Sequence, residues 1–153
     1  LVGVPLLVEI PPPWEMTWLH DNGTEAAFSS GAGDFVYIAA GNVQDPARGA
    51  AAYVPEILDR YLPPEFYTQR EFGEVLVQQP FGSLGSVASI PYRALWVDSQ
   101  SSFPVRGNLW MVIRHDGKAV VLTAESTPED HFADEAWRAI IDPTVNEFAN
   151  PDV

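Results

Sequence analysis

From Val105 to His115 the chain reads Val-Arg-Gly-Asn-Leu-Trp-Met-Val-Ile-Arg-His. Val105, Leu109, Met111 and Ile113 share one parity, and Trp110, Val112 and Arg114 share the other. Successive strand side chains point to opposite faces, so apolar residues on both parities predict a strand covered on two sides. His115-Asp116-Gly117-Lys118 supplies a tight turn, in which Gly accepts positive φ without a Cβ clash. Lys118–Ala124 returns as a β-branched strand. Thr127 then suits a helix cap, Pro128 the first helical position, and Asp130 completes a capping-box spacing. Phe132, Ala133, Ala136, Trp137, Ile140 and Ile141 recur at three- and four-residue spacing and predict one apolar helix face. Asp142-Pro143 is expected to break that helix, with Thr144–Phe148 adding a further turn whose Val145 and Phe148 face inward.

The remaining pattern builds onto this stretch. Leu6–Ile10 predicts a short strand, ended by Pro11-Pro12-Pro13. Alternation over Glu15–Asp21 predicts a second strand, Asn22-Gly23 a hairpin loop, and Glu25–Ser29 a third strand. The continuous apolar run Phe35–Ala40 predicts a buried strand. Asp45-Pro46 opens a helix whose apolar face is Ala50, Tyr53, Val54, Ile57, Leu58 and Tyr61. Pro55 predicts a kink, or two short helices with Pro55 opening the second. Over Thr68–Gln78 alternation is poor, and only Glu74–Gln78 predicts strand. Ser86–Val97 predicts a long strand whose Pro91 must sit at an edge, bulge or bend.

About eight strands, most joined by hairpin-like connections, and two main helices indicate an α+β domain. The expected sheet is mainly antiparallel, with about six to eight strands and helices on both faces, as an α/β/α sandwich. At 153 residues, residues 1–153 suit one domain. Such a domain buries roughly 70% of the surface its unfolded chain exposes, enough for a core without metal or disulfides. There is no cysteine, which removes disulfides, thiol nucleophiles and cysteine metal sites. Net charge is −13, from 21 acidic and 8 basic residues spread along the chain. That field repels phosphate backbones and disfavours docking to an anionic bilayer.

The order of elements resembles the PsbP-like superfamily, which includes a photosystem II extrinsic subunit, a nuclear-import factor that binds the Ran GTPase, and actinobacterial lipoproteins of the LpqN type. Val8-Glu9-Ile10-Pro11-Pro12-Pro13-Trp14 is similar to that family's opening strand and Pro-rich, Trp-ended turn. The family commonly has Gly where Pro13 stands. Val105–Ala124 resembles its long hairpin, and Thr127–Phe148 its closing helix. The resemblance implies an α/β/α sandwich with a binding or assembly role, often outside the cytoplasm, and no common catalytic set. It implies a protein or cell-envelope partner. The sequence begins at Leu1 rather than Met, so an upstream signal peptide, lipid anchor or membrane segment is compatible with an extracytoplasmic home.

Candidate chemistry is sparse. His20-Asp21, His115-Asp116 and Asp130-His131 carry metal-ligating groups, yet adjacent strand residues face opposite ways, so turn chemistry and capping explain them better. Ser29, Ser30, Ser83, Ser86 and Ser89 include no Gly-x-Ser-x-Gly elbow. Gly31-Ala32-Gly33 lacks the remaining glycine of a dinucleotide fingerprint. No catalytic residue, metal or cofactor is therefore expected. Trp14 and Trp18, beside the Pro-rich turn, are the candidate surface-binding residues, whereas Trp110 and Trp137 fit a core. The acidic helix start Glu129–Glu135 could meet a basic partner or weakly held Ca²⁺. The reading is a non-catalytic binding or assembly module. Its alternatives are a small-ligand or lipid carrier with a cavity between sheet and helices, and a hydrolase without a familiar motif.

Overall fold

A computed structural model describes residues 12–20, 24–127 and 134–150. Among them, eight strands form one open, mainly antiparallel sheet accompanied by two helices, as expected of an α+β chain. The strands are β1 (Glu15–Leu19), β2 (Glu25–Ser29), β3 (Asp34–Asn42), β4 (Tyr67–Phe72), β5 (Leu76–Gln78), β6 (Leu84–Val97), β7 (Ser102–Arg114) and β8 (Lys118–Ser126). The helices are α1 (Ala50–Tyr61) and α2 (Asp134–Ala149). Strand order is β1-β2-β3-β8-β7-β6-β4, with β5 also paired to β6. No helix among the described residues is long and apolar enough to cross a membrane. The predicted strand Leu6–Ile10 and the Asn22-Gly23 turn lie outside the described residues.

The long hairpin forms as its pattern predicts, with Val112 opposite Val120 and Ile113 opposite Ala119. Gly117 turns it at φ +89°, and the Asp116 carboxylate accepts the Lys118 N–H at 3.1 Å. Alternation along the central strands sorts the buried side chains into two clusters. Val36, Ile38, Val120, Leu122 and Ala124 pack with Trp137, Ile140, Ile141 and Phe148 of α2. Leu109, Met111, Ile113, Val121, Ala88 and Ile90 pack with Ala50, Val54 and Tyr61 of α1. Each fully buried large aliphatic or aromatic side chain contributes about 1.5–3 kcal/mol, so these two clusters dominate the folding free energy.

Pro143, expected to break its helix, lies inside a continuous one, and Pro55 does not divide its helix in two. Helix α1 runs through Pro55, and α2 runs through Pro143. Proline deletes one ladder hydrogen bond, but burial on either side outweighs that local cost. Around Pro143, Ile140, Ile141, Phe148 and Ala149 are all nearly inaccessible to solvent. The Thr144 hydroxyl also donates to the Ile140 carbonyl at 2.8 Å. The start of α1 differs too. A 3-10 turn, Pro46–Arg48, precedes it, and Asp45 makes no side-chain cap. Instead the Ala50 N–H donates to Ser86 Oγ on β6 at 2.9 Å. The Thr127 hydroxyl donates to the Pro104 carbonyl at 2.9 Å, and the residues it was expected to cap, with Pro128 and Asp130, lie outside the described residues.

Strand β4 is absent from the sequence expectation. Its alternation is broken by an irregular register between Thr68 and Glu71, where Gln69 takes φ +52°. Pro91 does not interrupt the pairing of β6 with β7. On the other side of β6 it falls in the gap between the partners of β5 (Val87–Ser89) and β4 (from Tyr92), where its missing N–H breaks no ladder.

Candidate functional site

Four Cα-paired positions set the site: Phe35 of β3 opposite Glu125 of β8, Glu125 opposite Gly107 of β7, and Gly107 opposite Tyr92 of β6. Directly paired residues share a sheet face, so this row crosses four strands on the side that carries α1. Gly107 contributes no side chain. A Cβ there would meet the Tyr92 ring carbon Cζ and hydroxyl at 2.9 Å, so its absence gives the ring room to lie across the strand. The Tyr92 hydroxyl then donates to Glu125 Oε1 at 3.1 Å. Tyr67, from β4, donates to the same oxygen at 2.5 Å and meets the Tyr92 ring edge-on.

Glu125 is only 7% exposed and has no cationic partner among the described residues. Burial pushes its carboxyl above the ordinary value of 4.5, while the two tyrosine hydroxyls pull the other way. Burial, then the nearby carboxylate, raises the Tyr67 and Tyr92 hydroxyls as well, so both remain protonated donors. Both donors go to Oε1. Oε2 receives none among the described residues, yet it is not sealed in without a partner.

A cavity of about 490 Å³ opens above this carboxyl. Tyr37 of β3, Tyr61 of α1, Tyr67 of β4, Trp96 of β6 and Phe103 of β7 line it, together with Thr123 and Glu125 of β8. Trp96 and Phe103 stack at 4.9 Å between centroids, and Tyr37 and Tyr61 meet at 6.2 Å. Thr17, Glu25 and Arg60 complete the polar lining. Burial and a hydrogen bond with Glu25 push the Tyr37 hydroxyl upward, keeping it protonated. Arg60 makes no salt bridge among the described residues and packs over the Tyr61 ring at 5.4 Å. The volume is that of a small-molecule site, with many apolar walls and a few fixed polar groups.

The buried carboxyl predicts a pH dependence. A carboxyl whose folded pKa is raised binds its proton more tightly folded than unfolded. Its contribution is fully present below the unfolded value near 4.5 and is lost as pH rises through the folded value. Stability of the wild-type chain is therefore expected to fall above pH 4.5, and Glu125→Gln is expected to flatten that portion of the curve. Urea midpoints across the range check this. Parallel pH curves for the two proteins would show that Glu125 does not titrate with folding.

The residues singled out in the sequence lie elsewhere. Trp14 is not a surface residue. It is 6% exposed and packs in the cluster that contains α2 residues. Its position beside the Pro-rich turn carried no information on burial, which the packing of Phe28 and Trp137 into the same cluster decides. Trp18 is 45% exposed; it stacks on Tyr37 at 6.3 Å and touches His20 edge-on at 5.9 Å. It borders the cavity through Tyr37 but does not line it. Trp110 is half-buried and Trp137 fully buried. Of the histidine–aspartate pairs, Asp21, Asp130 and His131 lie outside the described residues, and Asp116 is engaged by Arg114 at 2.6 Å.

Sequence reasoning missed Glu125, Gly107, Tyr67 and Tyr92. Two signals pointed to them: a glycine inside a strand, which marks a close approach, and a lone carboxylate ending a β-branched run. Comparison of the sequence with protein-family models and with curated proteins found no match.

Proposed function

We propose that this domain is a non-catalytic module that holds a small ligand in the cavity over Glu125. The observation that carries the reading is an aromatic-walled space of small-molecule size whose floor offers one carboxyl oxygen without a donor. Binding accounts for the lining better than hydrolysis does. Its described side chains include no serine or histidine to form a nucleophile–base pair, and its tyrosines are held protonated.

The finer architecture belongs to the same proposal. Helix α1 contributes to one buried cluster and α2 to the other, which supports helices on both faces of the sheet. That arrangement is the α/β/α sandwich implied by the resemblance to the PsbP-like superfamily, and with it a binding role outside the cytoplasm.

The test is a screen of small aromatic fragments by NMR, with the signals of Tyr61, Tyr67 and Trp96 assigned. Fragments are expected to shift those signals, and Ala27→Trp, which fills the cavity from its β2 side, is expected to abolish the shifts while the fold is retained. Shifts confined to the β1 surface, or none at all, would remove the ligand-binding reading.

A further inference from the structure

We infer that the occupant is a small organic cation, an amine or quaternary ammonium on an apolar or aromatic body, seated against Glu125 Oε2 and the rings of Tyr61 and Tyr67. The inference rests on the proposal that the cavity is a ligand site, and it names the chemistry of the ligand.

Two observations converge on positive charge. The lining holds two carboxylates, Glu25 and Glu125, against one guanidinium, Arg60. Glu125 has two neutral donors on one oxygen and no cation within reach among the described residues. A buried carboxyl with a vacant acceptor gains most from a charged donor, because charge-assisted hydrogen bonds in a low-dielectric site are roughly twice as strong as neutral ones.

The walls fit the same ligand. Aromatic faces carry negative quadrupole density and attract cations within about 6 Å of the centroid. This site already shows the preference at its edge, where the Arg60 guanidinium lies 5.4 Å from the centre of the Tyr61 ring. Trp96 is flanked by near-parallel rings, Phe103 at 4.9 Å and Phe66 at 6.5 Å, and closes the wall as apolar contact surface. The whole-chain charge of −13 adds a field that draws cations toward the molecule and holds anions off. An anionic ligand would meet Glu25 and Glu125. A neutral alcohol could donate to Oε2 but would gain nothing from the ring faces beyond contact.

The experiment titrates the wild-type chain with four probes of similar size: benzyltrimethylammonium, phenethylammonium, phenethyl alcohol and phenylacetate. Binding is read from the NMR signals of Tyr61, Tyr67 and Trp96 at neutral pH and fixed ionic strength. Both cations are expected to bind at least about tenfold more tightly than the alcohol or the acid, the scale of a desolvated cation–aromatic contact. Glu125→Gln is expected to remove the cation preference, weakening both cations far more than the alcohol. Tyr61→Leu is expected to weaken the cations several-fold more than the alcohol, which keeps the test open if the Glu125 variant does not fold. Equal or tighter binding of the alcohol or the acid would overturn the inference while leaving the cavity as a ligand site. Failure of all four to move the cavity signals would overturn both.

Discussion

Trp137→Ala is expected to cost about 3–5 kcal/mol of folding stability, the range for truncating a large buried aromatic. The Trp137 side chain is fully buried, among Val36, Ile38, Leu122 and Ala124 of the sheet and Ile140 and Ile141 of its own helix. Its indole N–H donates to Ser126 Oγ at 3.0 Å. Ser126 in turn donates to the buried Asp34 carboxylate at 2.7 Å, and Ser30 donates to the other oxygen of Asp34 at 3.1 Å. The substitution therefore opens a cavity and removes the only described donor to Ser126 Oγ. A domain of this size has about 5–15 kcal/mol in total, so the variant would lie close to unfolding. Trp137→Phe keeps most of the apolar area and should lose only the hydrogen bond and part of the packing, a distinctly smaller effect. Urea denaturation reads both. A loss below about 1 kcal/mol for the alanine variant would mean that α2 does not dock through this ring.

Gly107→Ala is the second large effect, and local propensity assigns it the wrong sign. Alanine in place of glycine in an unstrained strand stabilises by about 0.4–1 kcal/mol, because the unfolded chain loses freedom. Here the added Cβ would run into the Ala124 carbonyl oxygen and lie 2.9 Å from the Tyr92 ring. Neither can yield cheaply: the first is backbone inside the β7–β8 ladder, and Tyr92 is 2% exposed. Overpacking of this kind costs about 1–3 kcal/mol, which outweighs the entropic gain. The expected result is a net loss of stability together with displacement of the Tyr92 hydroxyl from Glu125. Removing that donor should raise the Glu125 carboxyl further, since the bond is one of two that oppose the effect of burial. Denaturation together with carbon NMR of the Glu125 carboxyl checks both. A more stable variant with an unmoved carboxyl would show that the strands leave room at position 107.

These two residues show where sequence was informative and where it was not. Trp137 is legible because it sits on a helical apolar stripe, and a stripe of that width has to be buried. The strands from β6 to β8 are legible for a similar reason: apolar residues on both parities require cover on both sides. Trp14 is not legible, since a lone aromatic beside a turn has no period to locate it. Pro143 misled because its cost is local and modest, while the burial that overrides it comes from residues distant in the chain. Strand β4 was hidden by its irregular register, which only its pairing to β6 defines.

The candidate site lay almost wholly outside sequence reasoning. Glu125 is the last carboxylate of an apolar strand, and nothing within several residues of it reveals the tyrosines 58 and 33 positions away that donate to it. What the sequence determined by itself is the class of fold: hydrophobic period is a property of neighbours along the chain, and it dictates which stretches become strand or helix and which side each must hide. What only the tertiary structure decided is the site, because strand order, register and one missing side chain at Gly107 bring together groups that share no local pattern. A carboxyl's chemistry depends on the dielectric and the donors around it, and in this chain those are supplied across the sheet.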